Sequence, residues 1–288
     1  MTTVTEATGA RPGFWFSRPR LRLAALLGGP MLWLVVIYLG SLAALFLTAF
    51  FSVDGFTGAV VRTFTMSNFI DAFTTPAYLQ AMARTVGIAI TVTLLCLVIG
   101  LPLAMFMARV APARWQPFLV AMVLTPLWAS YLVKVYAWRT MLNPESGFLS
   151  WLVGWAPGFG VPAIIVTLTY LWLPYMILPL YAGLTRLPNS MLDASADLGA
   201  RGWKTFRSVV VPILFPAIVA GSIFTFSLSL GDYITAQIVG GKVQMLGNIV
   251  QQNYVTNLPF AAAVATIPVI IVLLYLAAVR RSGALENL

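Results

Sequence analysis

From Glu145 to Arg186 the chain runs without a single charged side chain in between, and similar charge-free runs recur along its length. A helix crosses about 30 Å of hydrocarbon at about 1.5 Å per residue, so a run of roughly 20 apolar residues is long enough to span a bilayer. Composition agrees: 60% of the 288 residues are hydrophobic and 9% are charged, where a soluble domain carries about 25% charged residues. The mean hydropathy is +0.91. A net charge of +9 would point to nucleic acid in a soluble chain. Here lipid is the solvent, nucleic acid is not an expected partner, and the charges are counted by loop instead. The absence of histidine removes His-based zinc sites and Ser–His triads. The lone Cys96 lies in an apolar run and reads as a small packing residue. The expected class is all-α, a polytopic membrane protein.

Six spans are expected: Pro30 to Val53, Thr85 to Ala108, Trp115 to Val133 with a continuation past Lys134 to Met141, Pro162 to Leu184, Ser208 to Gly231, and Leu258 to Val279. Ser146 to Gly160, with its glycines and prolines, reads as a loop with a short interfacial helix. Around the membrane domain, 30–279, lie an N-terminal segment, 1–29, and a tail, 280–288. With six spans both termini share one side with the 2–3 and 4–5 loops. That side holds Arg11, Arg18, Arg20, Arg22, Arg109, Arg114, Arg186, Arg201, Lys204, Arg207, Arg280 and Arg281; the other holds Arg62, Arg84, Lys134, Arg139 and Lys242. The excess places both termini in the cytoplasm. The first apolar run is about twice the length of a signal-peptide core and lacks a convincing cleavage site, so a retained anchor is expected. Gly100, Ala104 and Ala108 have the small-residue spacing of close helix packing in lipid.

The 4–5 loop, 185–211, is long and patterned. Asn189 and Ser190 can cap a helix, and Asp193 would lie in its first turn. Met191, Ser195 and Leu198 share a face at helical spacing, with Leu192 beside them. Gly199 and Gly202 bracket Arg201 and permit a sharp bend. Trp203 and Phe206 then form the apolar side of a second short piece whose polar side is Lys204 and Arg207. Two readings fit this pattern: a docking helix offering an apolar knob to a partner, or an amphipathic helix lying on the membrane surface.

Asp193-Ala194-Ser195, three residues, Gly199, nine residues, then Val209, Val211 and Pro212 resembles the loop signature of ABC importer permeases, Glu-Ala-Ala, Gly, Ile-x-Leu-Pro. The departures are Asp for Glu, Ser for Ala, and valines for the larger aliphatics. The resemblance implies that Asp193, Ala194, Ser195, Asp197, Leu198, Gly199, Ala200, Arg201 and Trp203 form a coupling helix that docks on an ATP-hydrolysing subunit. A second stretch is similar to the spermidine/putrescine permeases, specifically the first of their two permease subunits. It runs Leu230-Gly231-Asp232-Tyr233-Ile234-Thr235, then Gly240-Gly241, Met245-Leu246-Gly247-Asn248-Ile249 and Gln251-Gln252. Related permeases for other small solutes share much of it. The resemblance covers nearly the whole chain and implies a type I importer in a prokaryotic inner membrane. Its partners would be an ATPase dimer, a second permease that is a paralogue, and an extracytoplasmic solute-binding protein. ATP and magnesium would sit on the ATPase, and this chain would bind no cofactor.

A polyamine carries two or more ammonium groups, so a path for it calls for carboxylates and aromatic faces. Asp232 is the candidate carboxylate, near the outer end of the fifth span, with Tyr233 beside it; the bland reading is a water-exposed cap. Trp172 and Tyr175, close to Pro174 and Pro179, and Trp128 and Tyr131 are the candidate aromatics, each set against a role in lipid-facing belts. Glu145 is expected to pair with Arg139 or Lys134. The polar group Gln251, Gln252, Asn253 and Asn257 reads as an outer loop before the last span, and two readings fit it: a surface that docks the binding protein or lines the outer gate, or a solvated loop.

Other chemistries fail on the residues. Gly240-Gly241-Lys242 lacks the upstream glycine and the following Ser or Thr of a phosphate loop. The spans hold no cluster of acids, bases or metal ligands, so an enzyme is not expected. A self-sufficient secondary transporter would call for paired interrupted helices in inverted repeats, and none is evident.

Overall fold

The computed structural model describes residues 19–281. Apolar runs become helices because hydrocarbon offers backbone N–H and C=O groups no partner other than the helix itself. Two units are distinguished, one up to Thr48 and one from Ala49 onward.

The first unit is helical: α1 (Pro19–Trp33), a π-helical turn (Leu34–Leu39) and α2 (Gly40–Thr48). Leu26–Thr48 is long and apolar enough to cross a membrane. The expected first span is therefore displaced: it closes before Val53, which belongs to a strand. Arg11 and Arg18, counted for orientation, lie outside the described residues.

The second unit opens with a small hairpin, β1 (Ser52–Val53) antiparallel to β2 (Val60–Val61), with Ser52 opposite Val61. Asp54 Oδ1 accepts the N–H groups of Phe56 and Thr57 at 2.8 and 2.9 Å and shapes the turn. Next come α3 (Ser67–Thr74) and α4 (Pro76–Met105), which ends in a π-helical turn (Phe106–Val110). The second span starts nine residues earlier than the charge pattern suggests, because Arg84 is tolerated inside the helix and donates to the Gln244 carbonyl at 3.4 Å.

The third span is not the continuous helix expected. It is α5 (Gln116–Trp128) and α6 (Tyr131–Met141), bent by 92° at Ala129 and Ser130. Lys134 Nζ donates to the Pro126 carbonyl across the elbow at 3.1 Å. It thereby satisfies an acceptor that the break leaves without a helical N–H. Arg139 lies over the Phe159 ring, 5.9 Å from its centre. Both cations are thus engaged elsewhere than with Glu145.

The remaining elements are α7 (Phe148–Val153), the short helix expected between spans three and four, then α8 (Val161–Arg186), α9 (Asn189–Asp197) and α10 (Gly202–Thr205). A π-helical turn (Phe206–Val210) leads into α11 (Val211–Leu230), followed by α12 (Ile234–Val239), α13 (Leu246–Asn253) and α14 (Leu258–Arg281). Gln251, Gln252 and Asn253 are helical, in α13, rather than loop.

The core of this unit is α8 sandwiched between α4 and α11. Met176 of α8 is the wedge: a Cβ at Gly100 of α4 would lie 3.4 Å from its Cγ, and one at Gly221 of α11 would lie 2.6 Å from its sulfur. Absent side chains let backbones approach where lipid supplies no hydrophobic drive. Cys96 is buried here, its thiol facing the Thr169 carbonyl at 3.5 Å. A second cluster joins α13 and α14 through Leu246, Ile249, Phe260 and Val264. The buried Leu246 N–H donates to Thr85 Oγ1 at 2.9 Å and ties it to α4.

Candidate functional site

Four of the six candidate substrate residues form one continuous row. Asp232 lies just beyond the end of α11 and is only 7% exposed, so it is not a water-exposed cap. Its Oδ1 accepts the Thr235 N–H at 2.8 Å, and its Oδ2 accepts the Tyr131 hydroxyl. That hydroxyl also lies 2.7 Å from Thr235 Oγ1. A phenol has one hydrogen to give, so with it on Asp232 the threonine hydroxyl donates to the tyrosine oxygen. Burial pushes the Asp232 carboxyl above the ordinary carboxylate range, against the pull of the bonds from Tyr131 and Thr235.

From Tyr131 the row continues through aromatic faces. Trp172 stacks on Tyr131 with ring centres 6.0 Å apart and planes 21° apart. Tyr175 meets Trp172 edge-on at 5.9 Å, and Phe224 of α11 follows at 6.2 Å. The Trp172 indole N–H is buried and has no hydrogen-bond partner. Trp128 is not in the row; it projects from the elbow at 89% exposure. Tyr233 faces the other way and lines a groove of about 590 Å³ with Gly231, Gln251, Tyr254 and Pro268. Phe224 escaped the sequence reading, and Thr235 and Asn248 entered it only as members of the stretch similar to the spermidine/putrescine permeases. The buried Asn248 holds the turn after Asp232: its Nδ2 donates to the Tyr233 carbonyl at 3.0 Å, while its Oδ1 accepts the Met245 N–H at 3.0 Å. Its place three residues after Met245, at a helix start, is the local signal for this capping role.

At the other end of α11 lies the patterned loop. α9 exposes Asp193, Ala194, Asp197 and Leu198, and Leu198 is 87% exposed. Ser195 points inward instead, its hydroxyl 2.9 Å from that of Thr205. Leu192 packs on the bundle core. Gly199 takes φ +74°, and the Gly199 and Ala200 N–H groups bond back to Ala196 and Ser195 at 2.8 and 3.1 Å. This is a Schellman ending, which wants glycine at that position. Arg201 is exposed before α10. Trp203, 72% exposed, stacks on Phe206 at 5.5 Å. Two local expectations fail. Asn189 does not cap α9, because its Oδ1 is taken by Arg109 at 2.5 Å. Asp193 falls beyond the first turn, since the helix begins at Asn189.

Long apolar helices packed around a buried carboxylate and an aromatic row, with a short amphipathic helix between two of them, define a multi-pass helical membrane protein. Residues 100–281 match the family described as binding-protein-dependent transport system inner membrane component, and the chain belongs to that family, the permease subunits of ABC importers. It is 42% identical to the inner membrane ABC transporter permease protein YdcU of Escherichia coli K12, over 97% of this chain and 96% of that one. Against the spermidine/putrescine transport system permease protein PotB of Haemophilus influenzae it is 32% identical, covering 70% and 73%. PotB of Escherichia coli K12 is 29% identical, covering 79% and 86%. Among solved structures, a bacterial alginate ABC transporter in complex with its pentasaccharide-bound periplasmic protein matches with a TM-score of 0.68 at 15% identity, over 93% of this chain and 97% of that one. The MetNI methionine ABC transporter, inward facing, matches at 0.58 and 22% identity, over 73% and 95%. The expected fold stands, and the chain is a transport subunit rather than an enzyme.

Proposed function

We propose that this permease forms the import path for a polyamine such as spermidine or putrescine, powered by ATP hydrolysed on a partner subunit. The observation that carries this reading is the row from Asp232 through Tyr131, Trp172 and Tyr175. A buried carboxylate attracts an ammonium group, and each aromatic face contributes about 0.5–2 kcal/mol to a passing cation, enough to guide without trapping. The names of the PotB relatives support the same substrate class. The YdcU relative's name specifies no solute, so another small cation carried by the same machinery is the second reading.

In this reading α9 and α10 are the coupling surface, with Leu198 as the knob and Asp193, Asp197 and Arg201 as its ionic rim. The partners are an ATPase dimer carrying ATP and magnesium, a second permease that is a paralogue, and an extracytoplasmic binding protein. Both termini and α9 face the cytoplasm, and Asp232 lies toward the outer face. ATPase closure pushes α9, the path opens outward to receive substrate from the binding protein, and hydrolysis resets it inward.

The test is uptake of labelled spermidine and putrescine into proteoliposomes containing all four components. Uptake that needs ATP and every component is expected. ATP hydrolysis with no movement of either polyamine would overturn the substrate assignment. Uptake by this chain alone, without ATP, would overturn the coupled mechanism.

A further inference from the structure

We propose that Arg109 is the positioning residue that fixes α9 against the transmembrane helices; this rests on the reading of α9 as the coupling helix. α9 is thinly packed. An open groove of about 540 Å³ lined by Arg109, Leu192, Ala196 and Phe206 lies on one side of it. A groove of about 400 Å³ lined by Met191, Ser195, Leu198 and Lys204 lies on the other. A helix between two such voids is held by few contacts, and three are evident: Leu192 against the core, Ser195 to Thr205, and Arg109 to Asn189.

Arg109 stands in the π-helical turn that ends the second span. Its Nη2 donates to the carbonyls of Leu184 and Leu187 at 2.7 and 2.5 Å, and its Nη1 donates to Asn189 Oδ1 at 2.5 Å. The two carbonyls belong to the C-terminal end of α8, where a cation is favoured by the helix dipole. Pro188 has no N–H to give Leu184 four residues back; that carbonyl keeps a long bond from the Leu187 N–H at 3.3 Å, and the guanidinium adds a shorter second donor. Its rigid fork meets three acceptors at once, which a lysine ammonium does not do with fixed geometry. Three spans meet here, because the turn that holds Arg109 ends α4 and packs on α8 and α5. Through Arg109, the first residue of α9 follows the end of the second span.

The experiment compares wild type, Arg109→Ala, Asn189→Ala and Asn189→Asp in the full four-component complex in lipid. Hydrogen exchange of α9 and the amount of substrate imported per ATP hydrolysed are both read. Arg109→Ala is expected to speed α9 exchange by about tenfold, the effect of losing a hydrogen bond to a charged group, while α11 and α8 before its last turn keep wild-type protection. Import per ATP should fall by a similar factor, Asn189→Ala should reproduce the loss, and Asn189→Asp, which keeps an acceptor, should restore it. Unchanged α9 exchange overturns the proposal. So does equal loosening of α8 and α11, or a parallel fall of uptake and hydrolysis. Leu198→Asp on the exposed knob separates the two claims. If it leaves import per ATP unchanged, the coupling reading of α9 fails; if it uncouples while Arg109→Ala does not, only the role of Arg109 fails.

Discussion

The Tyr131 hydroxyl donates a hydrogen bond to the Asp232 carboxyl across 101 residues of sequence, joining the first residue of α6, just past the elbow, to the link that follows α11. The bond sets the angle of the tyrosine ring on which Trp172 stacks. The carboxylate and the aromatic faces are therefore one assembly. A hydrogen bond to a charged group contributes about 1.5–3 kcal/mol, so Tyr131→Phe is expected to slow uptake by roughly ten- to a hundredfold. Tyr175→Phe, which keeps its ring, should cost far less. Initial rates in proteoliposomes check both.

Asp232→Asn keeps the shape and the Thr235 bond but removes the charge. Uptake of a dicationic substrate should drop more than uptake of an uncharged analogue of the same length. Equal losses for the two would take Asp232 out of substrate contact.

Gly199 is required for its backbone angle rather than for space, since nothing lies within 4 Å of where its Cβ would be. Valine at φ +74° is strained by about 1–2 kcal/mol, whereas asparagine visits that region readily. Gly199→Val should abolish transport with the protein still inserted, and Gly199→Asn should retain a substantial fraction. Equal loss from both would mean that a partner surface fills the open space beside the glycine. Uptake measured alongside membrane-fraction content distinguishes the outcomes.

Gly221 is the opposite case. A methyl there would come within 2.6 Å of the Met176 sulfur and 3.2 Å of its Cα, so Gly221→Ala forces α8 and α11 apart at about 1–3 kcal/mol. Gly87, mid-helix in α4 with open space around it, is the control: Gly87→Ala should be neutral or slightly stabilising. Thermal unfolding in detergent micelles reads the difference.

The hairpin turn carries a pH dependence of known sign. Backbone N–H groups of Thr57 and Phe56 hold the Asp54 carboxyl below the ordinary carboxylate range. A depressed acid contributes its full stabilisation above its unfolded pKa and loses it as pH falls through the lower, folded value. Protection of the Phe56 and Thr57 amides should persist through the ordinary carboxylate range and disappear only in stronger acid. Asp54→Asn should flatten that profile.

The spans α8, α11 and α14 could be read from sequence because each is a charge-free run bounded by arginine, glycine or polar residues. The elbow between α5 and α6 could not, since neither Ala129 nor Ser130 breaks helices strongly. Its one trace was Lys134, a charge inside an apolar run. α13 was hidden by the polarity of Gln251, Gln252 and Asn253, although Leu246, Ile249 and Val250 repeat at helical spacing. The row at Asp232 was legible as residue types but not as contacts, because Tyr131 and Trp172 reach it from other helices. Arg109 looked like an ordinary loop charge. Its partners lie 75 to 80 residues away, beyond any local pattern.

The elbow also bears on how thick the barrier is. The thirteen residues of α5 reach about 20 Å, roughly 10 Å short of the hydrocarbon layer. Where the chain turns aside, the Lys134 ammonium and the Pro126 carbonyl pair with each other, and neither group tolerates oil. Beside Ala129 those groups need protein or water rather than hydrocarbon, so the third span interrupts its own apolar wall partway along. A charged solute passing the elbow meets a polar rung there instead of an unbroken low-dielectric wall.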